Sequence, residues 1–332
     1  MSMNRMKITK ALFTLSCITY TNGKHLSICR KLFFENDYFK RSITYSTHIR
    51  NGKKYFILRG NYFNTNVIVV PIYKDNYSYI FYNEKDDGIA VDPSDHKEIM
   101  DICEKENIQI KHVLCTHKHA DHNSGNFFFY DKKINVYGIK EGNNRYINRN
   151  IEHVSNFEVS NFKITTHLSN FHCTNHIAYL IENCKKNNEK KIFFTGDFLF
   201  ICGIGKNFEG KNKDMFNAIK ALKEMDKINT YIFCGHEYTR SNIQFALSID
   251  QSNDHLTDFY ERLLKIEQDI PTVPSTLEEE FLYNPFLRYN EDNIRQAIRT
   301  YAKRNNYVIS ENIDYLVLLR RMKDNFQNGS YL

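Results

Sequence analysis

Residues 116–122 read Thr-His-Lys-His-Ala-Asp-His. The six residues just ahead, Ile110–Cys115, form an apolar-rich run predicted to be a strand that leads straight into this loop. His117 and His119 are one residue apart, so an extended backbone puts both imidazoles on one side. Asp121 and His122 follow on the turn into the next predicted helix. A single metal ion cannot readily take four ligands from so tight a loop, whereas two adjacent ions can. Imidazole with carboxylate suits zinc, iron or manganese.

Each ion then needs ligands from elsewhere, and three later stretches offer them. These are Phe171-His172-Cys173-Thr174-Asn175-His176, Phe194-Thr195-Gly196-Asp197 and Cys234-Gly235-His236-Glu237. Each follows or ends a predicted strand (Phe162–Leu168, Lys191–Thr195, Thr230–Cys234), the part of an α/β scaffold that carries functional groups. His172, Asp197 and His236 are the candidate ligands. His176 is read as an orienting or packing residue, and Cys173 and Cys234 as small packing residues. Lys118 receives no role.

Further strands are expected at Val67–Ile72, Tyr77–Tyr82 and Gly88–Asp92. A helix opens at an Asp95/Glu98 capping box and another spans Asp214–Met225. From Thr239 the pattern turns helical, with a second capping box read at Ser275/Glu278. The expected division is a leader at 1–65, a mixed β/α catalytic unit at 66–238 and a helical unit at 239–332.

The chain has 332 residues, 42% of them apolar, enough for a sizeable core. Its net charge of +6 is uneven. Residues 1–65 hold twelve Lys/Arg against Glu35 and Asp37, and the rest holds 33 basic against 37 acidic residues. A mildly acidic body gives no nucleic-acid footprint. No apolar run is long enough to span a membrane. The eight cysteines include no C-x-x-C pair, which argues against a zinc ribbon. The basic, acid-poor start with its short apolar stretch Ala11–Ile18 reads as a transit peptide. It resembles the leaders of apicomplexan plastid proteins, with mitochondrion or cytoplasm as alternatives.

The H-x-H-x-D-H loop, followed by single His, Asp and His at strand ends, resembles the metallo-β-lactamase superfamily. Within it the chain is similar to glyoxalase II, the hydroxyacylglutathione hydrolases, over about residues 67–327. The matching stretches are 75–77 (DNY), 91–93 (VDP), 116–122, 194–210 (FTGDFLFICGIGKNFEG), 234–239 (CGHEYT), 284–288 (NPFLR) and 319–326 (LRRMKDNF). The resemblance implies an α+β fold, an αββα sandwich followed by a smaller all-helical C-terminal domain. It assigns His117, His119 and His172 to one metal, Asp121, His122 and His236 to the other, and Asp197 as the bridge. Zinc is the first expectation, with iron or manganese as alternatives.

The implied reaction is hydrolysis of S-D-lactoylglutathione to D-lactate and glutathione by a hydroxide held between the metals, with Asp121 and Asp197 as catalytic residues. This is the second step of methylglyoxal detoxification. Lys206, Phe208, Tyr238 and Arg288 fall at substrate-binding positions. Two departures stand out. Phe208 replaces the usual Tyr and lacks its hydroxyl, and Asn290-Glu291-Asp292 stands where the family often has a further cation. Lys and Arg within Leu319–Lys323 are candidate substitutes. The rival within the superfamily is a persulfide dioxygenase, which carries one iron and no long helical tail. No partner beyond the small thioester is expected, and oligomeric state is left open.

Overall fold

The computed structural model describes residues 15–19, 27–32, 43–50, 53–62, 64–141, 144–152, 155–184 and 190–326. Two sheets face each other. The first has ten described strands in chain order: β1 (Leu15–Thr19), β2 (Ser27–Leu32), β3 (Ile43–Arg50), β4 (Lys53–Tyr62), β5 (Thr65–Ile72), β6 (Asn76–Tyr82), β7 (Gly88–Val91), β8 (Ile110–Leu114), β9 (Asn135–Gly138) and β10 (Arg149–Asn150). The second runs β11 (Asn156–Val159), β12 (Phe162–Leu168), β13 (Ile177–Asn183), β14 (Lys191–Gly196), β17 (Thr230–Cys234) and β18 (Ser275–Thr276). A hairpin of β15 (Leu199–Phe200) and β16 (Gly203–Ile204) follows β14.

Alternation along the strands sorts side chains between faces. Val67, Val69, Tyr79 and Phe81 from the first sheet meet Ile164, Tyr179, Phe194 and Phe233 from the second in the inter-sheet core. Ile68, Val70 and Ile80 point the other way, onto Ile99 and Ile102 of α1 (His96–Glu106) and Phe129 of α3 (Asn126–Asp131). The short α2 (Ala120–Asn123) closes the metal-seeking loop and carries Asp121 and His122.

The outer face of the second sheet, with Leu180, Phe193 and Ile232, packs on Met215 and Ile219 of α4 (Asn212–Lys223). The helices α5 (Thr239–Ile249), α6 (Asp254–Leu264), α7 (Leu277–Tyr283), α8 (Asp292–Arg304) and α9 (Asn312–Asp324) complete the tail. Leu277, Ile298 and Leu319 of that tail belong to the same apolar cluster as the sheet face. The fold is an αββα sandwich with a helical C-terminal region. Among the described residues, no helix is long and apolar enough to cross a membrane.

Two expectations need correction. The boundary at residue 66 falls too late: β3 and β4 pair with each other and with β5, and Tyr45, Phe56 and Leu58 are buried in the inter-sheet core. The charges of Lys53, Lys54 and Arg59 hid a strand pattern, although Asn51-Gly52 lies between two runs that pair from Arg50↔Lys53, a strong hairpin signal. Arg59 meets Glu106 at the end of α1 at 2.7 Å. The leader reading for residues 1–14, 20–26 and 33–42 lies outside the described residues. The second correction is in the tail. Strand pairing does not stop at Thr239, because Ser275 pairs with Ile232 in β18. The capping box therefore slides one residue, to Thr276 and Glu279.

Candidate metal centre

The loop after β8, the turn after β12, the end of β14 and the end of β17 bring together all seven expected ligands. His117 Nε2 and His172 Nε2 each lie 3.0 Å from His119 Nδ1. His122 Nε2 lies 3.2 Å from His236 Nε2, and Asp121 Oδ2 is 3.7 and 3.5 Å from these two nitrogens. Asp197 stands between the groups: Oδ2 is 3.4 Å from His172 and 3.3 Å from His236, and Oδ1 is 3.4 Å from His122.

The outward nitrogens fix the tautomers. His236 Nδ1 lies 3.0 Å from Asp75, and His122 Nδ1 2.9 Å from Asp92, so each donates to a carboxylate. His172 Nδ1 donates to the Lys206 carbonyl at 3.1 Å. Thr116 gives its hydroxyl proton to Asp92 at 2.6 Å, so its oxygen accepts from His117 Nδ1 at 2.9 Å. In all four rings Nε2 then faces inward, the nitrogen a metal would take. Asn76 steadies Asp121 from the side, with Nδ2 2.9 Å from Oδ2.

These atoms fit a pair of cations. His117 Nε2 and His172 Nε2 converge on His119 Nδ1 at 3.0 Å, and His172 Nε2 lies 3.4 Å from Asp197. Ligands in a tetrahedral zinc shell sit about 3.3 Å apart for bonds of 2.0–2.1 Å, which is the spacing observed. Asp197 Oδ1 is buried without a hydrogen-bond partner, an arrangement a cation would satisfy. Burial first works against ionisation of Asp197, but His122 and His236 outweigh it and hold the carboxyl well below its usual range. Burial pulls His236 down, yet Asp197 and Asp75 overcome it and raise the imidazole to about 10, so without a cation its Nε2 keeps a proton that a metal would displace; His172, governed by burial, falls to about 4.

Backbone shape allows this crowding. Gly196 has φ +50°, and a β-carbon there would sit 2.7 Å from His176 Nε2. A β-carbon on Gly235 would sit 2.4 Å from Asp197 Oδ1. His176 accepts from the Asp197 backbone N–H at 3.0 Å and meets Ser169 Oγ at 2.6 Å. Its role is to place Asp197. Cys173 has its sulfur near the ligand nitrogens of His117 and His119, but burial pushes its thiol up to about 12, in line with packing.

The substrate-directed residues divide. Phe208 is 60% exposed and packs edge-on against His172 and His119, with Lys206 Nζ 5.3 Å from its ring. Tyr238 stacks on His236 at 4.8 Å. Both therefore border the cluster. Arg288 does not present a free fork: its guanidinium is taken by the buried Asp250 and by Glu291, the acid that stands in the departure noted above. Cations of α9 touch elements around the site. Arg320 donates to the Ile204 carbonyl at 2.8 Å, two residues before Lys206, and Lys323 Nζ lies 2.9 Å from the Ser241 carbonyl. Asp75, Asp92 and Asn76 were not singled out from sequence as supports; only the DNY and VDP stretches around them were.

Two opposed ligand clusters on the edge of an αββα sandwich define the class: a family model described as the metallo-beta-lactamase superfamily matches residues 74–169. The fold is shared with a metallo-beta-lactamase structure from Staphylococcus aureus at TM-score 0.50 and 21% identity, covering 75% of this chain and 68% of that one. A second model, described as the hydroxyacylglutathione hydrolase C-terminus, matches residues 237–326. The chain is 36% identical over 269 residues to the hydroxyacylglutathione hydrolase of Dictyostelium discoideum, covering 77% of this chain and 98% of the relative. It is 32% identical to that of Photobacterium profundum, with the same coverage. This chain belongs to the hydroxyacylglutathione hydrolase family.

Proposed function

We propose that this chain hydrolyses glutathione thioesters, with S-D-lactoylglutathione giving D-lactate and glutathione. The observation that carries the reading is Asp197 placed between two sets of inward-facing imidazole nitrogens. His117, His119 and His172 would hold one ion, Asp121, His122 and His236 the other, and Asp197 both; zinc is the first expectation, with iron and manganese as alternatives. Such a pair supplies an ionised water near neutral pH and polarises the thioester carbonyl.

The protein's own part is placement. Asp75, Asp92, Thr116 and the Lys206 carbonyl hold the imidazoles in one tautomer and orientation. Asn76 fixes Asp121 Oδ2, leaving Oδ1 to accept a hydrogen bond from the reacting water. The water oxygen adds to the thioester carbonyl carbon, the C–S bond then breaks as the carbonyl re-forms, and the thiolate leaves without a strong acid, because a thiol has a pKa of about 8.5. Lys206 and Lys323 are the cations for the two glutathione carboxylates, with Phe208 and Tyr238 as apolar walls. Burial lowers the Lys323 ammonium to about 8, so its charge is retained below that pH.

The test is hydrolysis of S-D-lactoylglutathione by the zinc-loaded full chain, followed by loss of thioester absorbance. Turnover is expected, and a fully loaded protein that leaves the thioester intact overturns the assignment. The basic start supports import into an organelle, plastid ahead of mitochondrion. A fluorescent fusion of residues 1–42 that stays in the cytosol would contradict that address.

A further inference from the structure

A cavity of about 730 Å³ opens beside the ligand cluster. His119 forms part of its wall, together with Lys118, Asn123, Arg145, Tyr146 and Glu209. None of Lys206, Tyr238 or Lys323 lines it, so it is distinct from the cations assigned to glutathione. Its volume lies within the 300–1,000 Å³ typical of ligand pockets and far exceeds what a three-carbon lactoyl group fills. A thioester has two arms on its carbonyl carbon. With that carbon at the cluster and one arm on the glutathione cations, the other arm is left with this space.

The charges in the wall are unequal. Lys118 Nζ is 2.7 Å from Glu209 and 2.9 Å from Thr174 Oγ1. Glu209 also accepts from the Thr174 backbone N–H and hydroxyl at 3.0 Å. These two charges cancel, and the same contacts tie together the loops that carry His117, His172 and Lys206. Arg145 is exposed and makes no ion pair or hydrogen bond among the described residues. A guanidinium is a planar fork that takes a carboxylate through two parallel bonds. Tyr146, 39% exposed, offers an apolar face beside it for a short carbon chain.

Resting on the thioesterase reading above, we propose that this cavity receives the acyl arm of the substrate and that Arg145 favours acyl groups ending in a carboxylate. The enzyme then accepts glutathione thioesters of dicarboxylic acids as well as the lactoyl ester.

The test compares kcat/KM for S-succinylglutathione and S-D-lactoylglutathione in the zinc-loaded full chain, Arg145→Ala and Arg145→Glu. The expected result is measurable turnover of both by the wild type. The succinyl-to-lactoyl ratio falls about fivefold in Arg145→Ala, the upper end for one exposed ion pair, and further in Arg145→Glu. A ratio that does not move, or a loss shared equally by both substrates, overturns the Arg145 assignment and leaves the thioesterase reading standing. Lactoyl turnover without succinyl turnover does the same. Failure to hydrolyse either substrate sinks the thioesterase reading and this one with it.

Discussion

The cluster at the sheet edge and the Arg288–Asp250–Glu291 group in the tail are each built around a buried carboxylate, but they are finished differently. In the tail group the charges are paired: Asp250, 2% exposed, is met by Arg288 and by the Asn293 amide, and Arg288 also meets Glu291. At the sheet edge, imidazole nitrogens crowd one another at 3.0–3.2 Å and Asp197 Oδ1 is buried without a hydrogen-bond partner. Buried polar atoms in proteins are hydrogen-bonded with few exceptions. A self-satisfied cluster holds a fold together, whereas an unsatisfied one whose atoms share ligand spacing is built to receive a cation.

The sharpest way to break that contrast is to remove the bridge. Asp197→Ala should lower turnover by more than about 100-fold, beyond the 10–100-fold loss typical of supports around a metal site, with bound metal falling in parallel. Arg288→Ala should act oppositely. It leaves Asp250 buried without its cation and costs about 3–5 kcal/mol of stability, with little change in KM for lactoylglutathione. A raised KM at unchanged melting temperature would return Arg288 to the substrate site.

Glu280 sharpens the same comparison from within the tail. It is wholly buried beside Cys202 N and Asn284, and burial raises its carboxyl to about 7 from 4.5. Because the folded value is the higher one, the stability it contributes is complete below about pH 4.5 and is lost as pH rises through about 7. Glu280→Gln mimics the protonated acid. It should gain roughly 3 kcal/mol over the wild type above that range and nothing below it, as read by urea melts on either side. The smallest effect is expected from Asp75→Ala, a loss of about 10–100-fold in metal affinity. Unchanged affinity there would mean that the His236 tautomer needs no carboxylate.

How far the sequence could be read follows the same division. The ligands were legible because His117, His119, Asp121 and His122 are contiguous and the other three sit at strand ends with telling neighbours. Their supports were not, since Asp75 and Asp92 reach His236 and His122 across 161 and 30 residues. The pairing of Arg288 was not legible because its partner Asp250 lies 38 residues away. β3 was absorbed into the basic leader reading and β4 was hidden by Lys53, Lys54 and Arg59, and the tail capping box slid because Ser275 and Thr276 precede three consecutive glutamates, which sequence alone does not rank.

The most direct test is elemental analysis of the zinc-equilibrated, dialysed full chain beside Asp197→Ala. Two ions per wild-type chain, and at most one in the variant, is the predicted result. One ion in the wild type, or two retained without Asp197, would contradict the shared-carboxylate site.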